Sequence, residues 1–222
     1  KPKIFFFENV HGFVYKPHQQ SLNYLIKTSE ELGYHVTYDV INCADYGVPQ
    51  TRERFICIGV KNSFEKFIFP KPTHDKNPNS KREPWVTAGD VLNDLDFDLK
   101  EDNKMEAGSK HKDLLKKVPP GDNYLFFTKE RNHQNPIFKW RSRYWSFLLK
   151  LSKDRPSWTI QASHSNNMGP FHWKNRFLRI NEIKRLQSFD DSFQFLGNYK
   201  EQWRQIGNAV PPLLAYKFAK KI

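Results

Sequence analysis

A chain of 222 residues with 38% hydrophobic content, 19 Phe, 9 Tyr and 6 Trp holds enough apolar mass for one large domain or two small ones. No run approaches the roughly 20 apolar residues of a membrane helix, the opening apolar run is short for a signal peptide, and two cysteines are too few for a disulfide framework or a four-cysteine zinc site. The expectation is a soluble protein of a reducing cytoplasm, and its formal net charge of +12 points to polyanionic partners, nucleic acid first, with a solvated lysine-rich surface as the plain alternative.

In chain order, KIFFFENV is an apolar run without helical period, as expected for a strand buried on both faces that ends at a polar tip. Residues 17–33 place Leu22, Leu25, Ile26 and Leu32 on one helical face, and Gly33 supplies the stop. Residues 34–41 alternate as a strand and 54–60 form another, with 44–51 as the loop between them. This order is that of the later part of an α/β sheet.

After Phe69 the sequence PKPTHDKNPNSKREP has no periodicity, so a domain boundary falls near Pro70. Beyond it come AGDVLNDL as a capped helix turn, VPPGDNY as a turn, and SRYWSFLLKL as a helix or a buried strand. Basic and aromatic residues interleave at Phe138, Trp140, Arg141, Arg143, Tyr144 and Trp145, a pattern that serves either nucleic-acid contact or a core. INEIKRLQSF reads as a helix with Asn181 at its N-cap, and PPLLAYKFAKKI as one with Pro in its first turn.

Four segments then occur in one order: ENV at 8–10, VPQTRER at 48–54, RFLRINEIKRLQSF at 176–189 and QIGNAVPPLLA at 205–215. Together they resemble the second half of the motif set of the cytosine-5 DNA methyltransferases. PSWTIQAS at 156–163 and GPFHW at 169–173 look like the end of that family's variable insert. The resemblance implies an α/β fold. Residues 1–70 would be the end of a Rossmann-like methyltransferase sheet, 71–190 a small mixed α+β target-recognition domain, and 191–222 a segment whose helix returns to the catalytic domain.

Attack of a thiolate on C6 of cytosine pushes negative charge onto N3 and O2, which must be neutralised. The resemblance assigns this work to Glu8 and Arg54, with Arg52 holding the loop or contacting phosphate. A glutamic acid that donates to N3 must keep its proton, which calls for burial or a hydrogen-bonded partner. Asn208 and Val210 are implied contacts of S-adenosylmethionine, in a pocket completed by a segment outside this sequence; the plain alternative is a turn in which Gly207 supplies an unusual backbone angle. An enzyme of this kind extrudes its target base and reads the flanking bases from a groove. Candidate readers are Thr159, Gln161, His164, Ser165, Asn166 and Asn167, and candidate phosphate contacts are Lys139, Arg141, Arg143, Lys174 and Arg176.

The family's Pro-Cys nucleophile and Gly-rich cofactor loop are not in these residues, and Cys43 and Cys57 read as ordinary buried thiols. The chain alone is therefore expected to be inactive, and its expected partners are double-stranded DNA and a second polypeptide, or a missing N-terminal half, that carries the catalytic thiol. The resemblance further implies a restriction-modification setting in a prokaryotic cytoplasm, at the nucleoid. No metal is expected, because the histidines lack ligand spacing. The rival from another class is a stand-alone DNA-binding or regulatory module, against which the retention of Glu8 and Arg54 argues.

Overall fold

The computed structural model describes residues 2–61, 66–77, 79–163 and 165–222, and it is an α/β fold. Its frame is an antiparallel sheet in the order β1 (Ile4–Val10), β4 (Glu53–Lys61), β2 (Tyr34–Asn42). The apolar run of β4 takes the centre, where Phe55, Ile56, Cys57 and Ile58 are fully buried. β1 lies at the edge and none of its residues is fully buried, so the expectation of a strand buried on both faces fails. Its run of phenylalanines is divided between two faces instead.

Phe5 and Phe7 pack with Phe55, Cys57 and Leu22 beneath α1 (Gln19–Glu31), whose Leu25 and Ile26 complete that layer. Gly33 ends the helical segment in the left-handed conformation at φ 83, which a side chain would disfavour. Ile41, Ile56 and Ile58 face the other way, onto Cys43, Tyr46 and Val48 and onto Leu214 and Phe218 of α6 (Pro212–Ala219). The tail helix thus closes the second face of the sheet, and it begins, as expected, with Pro in its first turn.

The rest of the chain is built from short pieces. β3 (Gln50–Thr51) pairs in parallel with β7 (Ser157–Trp158), and β5 (His74–Asp75) with β6 (Glu83–Pro84). α2 (Ala88–Leu92) carries the expected cap, a reciprocal pair between Thr87 and Asp90. Together with α4 (Ile180–Leu186) and α5 (Tyr199–Asn208) it encloses Leu92, Leu151, Ile160, Ile183, Trp203 and Ile206. A third core gathers Leu115 of α3 (Lys112–Lys117) with Tyr124, Phe127, Phe147, Leu148 and Phe171.

Two expectations change here. SRYWSFLLKL is neither helix nor strand: residues 146–151 are buried in irregular backbone, whose amides find partners such as Asn167 O at 2.9 Å from Leu148 N and Phe171 O at 2.8 Å from Leu151 N. The N-cap of α4 is Arg179 and not Asn181, because the buried Glu182 carboxylate accepts the Arg179 amide at 2.8 Å and starts the helix earlier. Among the described residues no helix is long and apolar enough to cross a membrane.

Candidate functional site

Glu8 and Arg54 sit on adjacent antiparallel strands. Val10 lies directly opposite Arg54 and Ile56 opposite Glu8, so the two side chains are diagonal neighbours on one face of the sheet. Arg54 Nε stands 2.9 Å from Glu8 Oε1, with the two side chains 10% and 22% exposed. Arg54 Nη1 also donates to the Glu53 carbonyl at 2.7 Å, which fixes the plane of the guanidinium. The carboxyl and the guanidinium therefore converge on one half-buried spot at the end of the β1 and β4 ladder. The burial the opening strand was expected to give Glu8 is partial, and its partner is the arginine itself.

Behind this pair lies a buried polar knot. Gln50 and Arg52, alternating with Thr51 in VPQTRER, reach back from the sheet. Gln50 Nε2 donates to Gln187 Oε1 at 2.6 Å and to the Leu186 carbonyl at 3.1 Å, while its amide oxygen accepts from Ile160 N at 3.0 Å. Arg52 donates to the carbonyls of Ile160 at 3.0 Å, Gly207 at 2.8 Å and Ala209 at 3.3 Å. Gln187 Nε2 reaches Ala209 O at 2.7 Å and Ile206 O at 3.1 Å. A side chain from each of two segments thus satisfies the carbonyls that the end of α5 leaves open, and the negative pole of that helix helps hold a charge that has no carboxylate within ion-pair distance among the described residues.

Burial, then the neighbouring Arg54, brings Arg52 down to about 10, so it stays charged at neutral pH. Arg52 is 2% exposed, its guanidinium turned into the knot and away from solvent. Gly207 is demanded by contact and not by an unusual angle: a Cβ there would come within 2.6 Å of Gln161 O, and its φ is not left-handed. Asn208 is exposed at the end of α5, and Val210 is half-buried against the core that α6 shares with the sheet.

The remaining candidates separate into those turned outward and those already engaged. Gln161 and Asn166 are exposed and Asn167 is half-buried with Oδ1 unpartnered. Thr159 donates its hydroxyl to Thr51 O at 2.9 Å, and Ser165 is half-buried and bridged to Met168. His164 lies outside the described residues. Lys139, Arg141 and Arg143 are exposed. Arg176 is a correction: 4% exposed, it holds Glu182 with two bonds of 2.8 and 2.7 Å, because a buried carboxylate needs a bidentate partner. Lys174 is likewise taken up by Asp98 at 2.8 Å and Asp96 at 3.1 Å. Sequence reasoning passed over Gln50 and Gln187 as functional groups, although both stand inside the quoted motifs.

The thiols are shut away as expected. Burial pushes Cys43 up to about 12 and Cys57 to about 11, so neither is a nucleophile at neutral pH.

The family model for C-5 cytosine-specific DNA methylase matches residues 1–222. The chain belongs to that family. It is 40% identical to the Type II methyltransferase M.SacI of Streptomyces achromogenes over 227 residues, covering 95% of this chain and 57% of that protein. With the Type II methyltransferase M.NgoFVII of Neisseria gonorrhoeae it shares 32% identity, covering all of this chain and 59% of the relative. The chain thus spans somewhat more than half the length of these relatives. Among solved structures, the Schizosaccharomyces pombe Dnmt2 methyltransferase superposes with a TM-score of 0.61 at 13% identity, over 99% of this chain and 65% of that one. A prophage-encoded E. coli protein described as a DNA modification methyltransferase gives a TM-score of 0.63 at 20% identity, over 99% and 68%. These likenesses establish the fold. Three of the four family segments meet in the polar knot, which gives the motif set of this methylase chain a physical reason to persist together.

Proposed function

We propose that this chain is the target-recognition and C-terminal portion of a methylase that transfers the methyl group of S-adenosylmethionine to C5 of an extruded cytosine in double-stranded DNA, within a restriction-modification system. The observation that carries the reading is the meeting of Glu8 and Arg54 at 2.9 Å on one face of the sheet. The two groups satisfy each other. A cytosine ring arriving between them would take the Arg54 guanidinium on O2 and the Glu8 carboxyl on N3, where charge develops during thiolate addition. The thiolate itself would come from a polypeptide segment carrying the family's Pro-Cys motif.

On this reading residues 1–70 belong to the catalytic sheet, 71–190 read DNA, and 191–222 return to the sheet. The exposed amide of Asn208 beside the half-buried Val210 offers polar and apolar contact side by side, which fits one edge of S-adenosylmethionine. The cofactor supplies the electrophilic methyl group. Arg52 and Gln187 would keep that edge in register with Arg54. Gln161 and Asn166 are the outward-facing candidates for base contact, and Arg141 and Arg143 for phosphate.

The test combines the chain with the polypeptide supplying the thiol and cofactor loop, and follows methyl transfer to DNA together with exchange of the C5 hydrogen. Glu8→Gln is expected to lower both rates by roughly 100-fold or more, the scale of losing one charge-stabilising donor, with DNA affinity within about twofold. Full rates in that variant would reject the proposal. Salt-dependent DNA binding with no methylation under any pairing would favour the stand-alone binding module instead.

A further inference from the structure

The aromatic and basic run at 138–145 is sorted by the fold in an unexpected way. Phe138 turns in to pack beside Tyr124, Phe127 and Phe147. Trp140, Tyr144 and Trp145 stay out, 41%, 80% and 52% exposed, although an aromatic core lies directly beneath them. They and Arg131, Arg141 and Arg143 line an open cleft of about 680 Å³ floored by Tyr124. The floor is pinned: Tyr124 Oη donates to Arg143 O at 2.9 Å and Asn123 Nδ2 donates to Trp145 O at 2.7 Å.

The charges of the cleft are of one sign. Arg131 is engaged by Asp122 at 2.7 Å, but among the described residues Arg141 and Arg143 have no carboxylate within ion-pair distance, and no acidic side chain lines the walls. Arg141 is held in the left-handed region at φ 53, a conformation that non-glycine residues seldom adopt and that needs support from its surroundings. Its guanidinium lies 5.9 Å from the Trp140 ring, and that of Arg143 5.9 Å from Phe147. Trp145 touches Trp158 edge to face at 5.4 Å, and Trp158 pairs with Thr51, three residues before Arg54. The cleft is therefore joined through Trp158 to β3, the short strand that immediately precedes β4 and Arg54.

Free arginines alone would suit the phosphates of any duplex. Exposed flat rings would not, since a paired and stacked base shows only its edges, whereas an unpaired base offers a face to stack on. We propose that this cleft binds an unpaired nucleotide of the DNA other than the target cytosine, its base stacked on Tyr144 and Trp145 and its phosphates on Arg141 and Arg143. The inference rests on reading the chain as the DNA-binding portion of a methylase.

The experiment uses the full chain with three probes: a fully paired duplex, the same duplex with one extrahelical thymidine, and a short oligothymidylate. The extrahelical duplex is expected to bind about tenfold more tightly than the paired one, and both it and the oligothymidylate should quench tryptophan fluorescence. Tyr144→Ala, at a largely exposed position, and Trp145→Ala should abolish the tenfold preference while leaving the paired duplex within twofold. Arg141→Ala with Arg143→Ala should weaken all three and flatten their salt dependence. Equal binding of the two duplexes without quenching, or uniform weakening by the aromatic variants, would overturn the cleft while sparing the reading of the chain. Quenching by oligothymidylate without binding of either duplex would do the reverse.

Discussion

The sheet and the region from Trp85 to Phe189 solve the same problem by different means. β1, β4 and β2 share a continuous ladder of backbone hydrogen bonds, and their cores are apolar on both faces. The second region has helices of five to seven residues and paired strands of two, so much of its backbone is irregular and ion pairs hold it, from the buried pair of Arg176 and Glu182 to the exposed acids around Arg185. Arg176 grips Glu182, Arg179 grips Asp102 at two points, and Arg185 bridges Asp94 and Asp191. Where periodicity specifies a structure, one side chain is one contribution among many. Where a few ion pairs specify it, a partner left alone can be a buried charge, as Arg176 would be without Glu182.

The largest effect should therefore fall at Glu182, which has no exposed surface and whose removal strands Arg176 and opens the cap of α4. Glu182→Ala is expected to cost about 3–5 kcal/mol in urea denaturation, against about 1 kcal/mol for Ile58→Val in the sheet. Equal losses would break the contrast. The joint between the regions comes next: Gly207→Ala puts a Cβ 2.6 Å from the Gln161 carbonyl, with backbone and not a yielding side chain in the way. A loss of about 2 kcal/mol is expected, measured as a fall in thermal midpoint. An unchanged midpoint would mean that the tail and the insert loop are not in fact wedged together.

The same difference decides what could be read from sequence. Residues 34–42 and 53–61 alternate or run apolar with a strand's period, so the sheet and its helix were legible to within a residue or two. Nothing in a period-2 or period-3.6 template announces that Lys150 or Leu148 lies in buried irregular backbone, which is why SRYWSFLLKL reads as a regular element from its sequence. At the site, Glu8 and Arg54 were visible only as members of a motif set, and their approach across two strands is a matter of register. Arg176 and Lys174 read as outward charges because a sequence shows a cation without showing the carboxylate that folds against it. Gln50 and Gln187 are the instructive omission. Uncharged amides carry no obvious chemistry, yet between them they meet four carbonyls or amides from three distant segments.

His172 sharpens the comparison with a smaller effect, because it places an uncharged titratable ring at the centre of the ion-paired region. Its Nδ1 accepts the Lys174 amide at 3.1 Å, which leaves the proton of the neutral ring on Nε2, 3.6 Å from the Glu182 carboxylate. Burial, then Arg176, holds the ring down to about 3, with Asp96 pulling the other way. In the unfolded chain the same ring takes its proton near 6.5. Between those values the unfolded state binds the extra proton, so this residue makes stability fall as pH drops below about 6.5, by up to about 1.4 kcal/mol per unit. Asp96 and Asp102, both held down to about 2, keep their own stabilising charge until pH falls below the ordinary carboxylate range. The interval from pH 6 to 5 therefore isolates the imidazole from those carboxylates. Urea titrations there should show the wild-type chain losing about 1 kcal/mol more than His172→Gln across that single unit. Parallel losses in the two proteins would mean that the ring accepts a proton in the folded state, and that its carboxylate neighbours, rather than its burial, govern it.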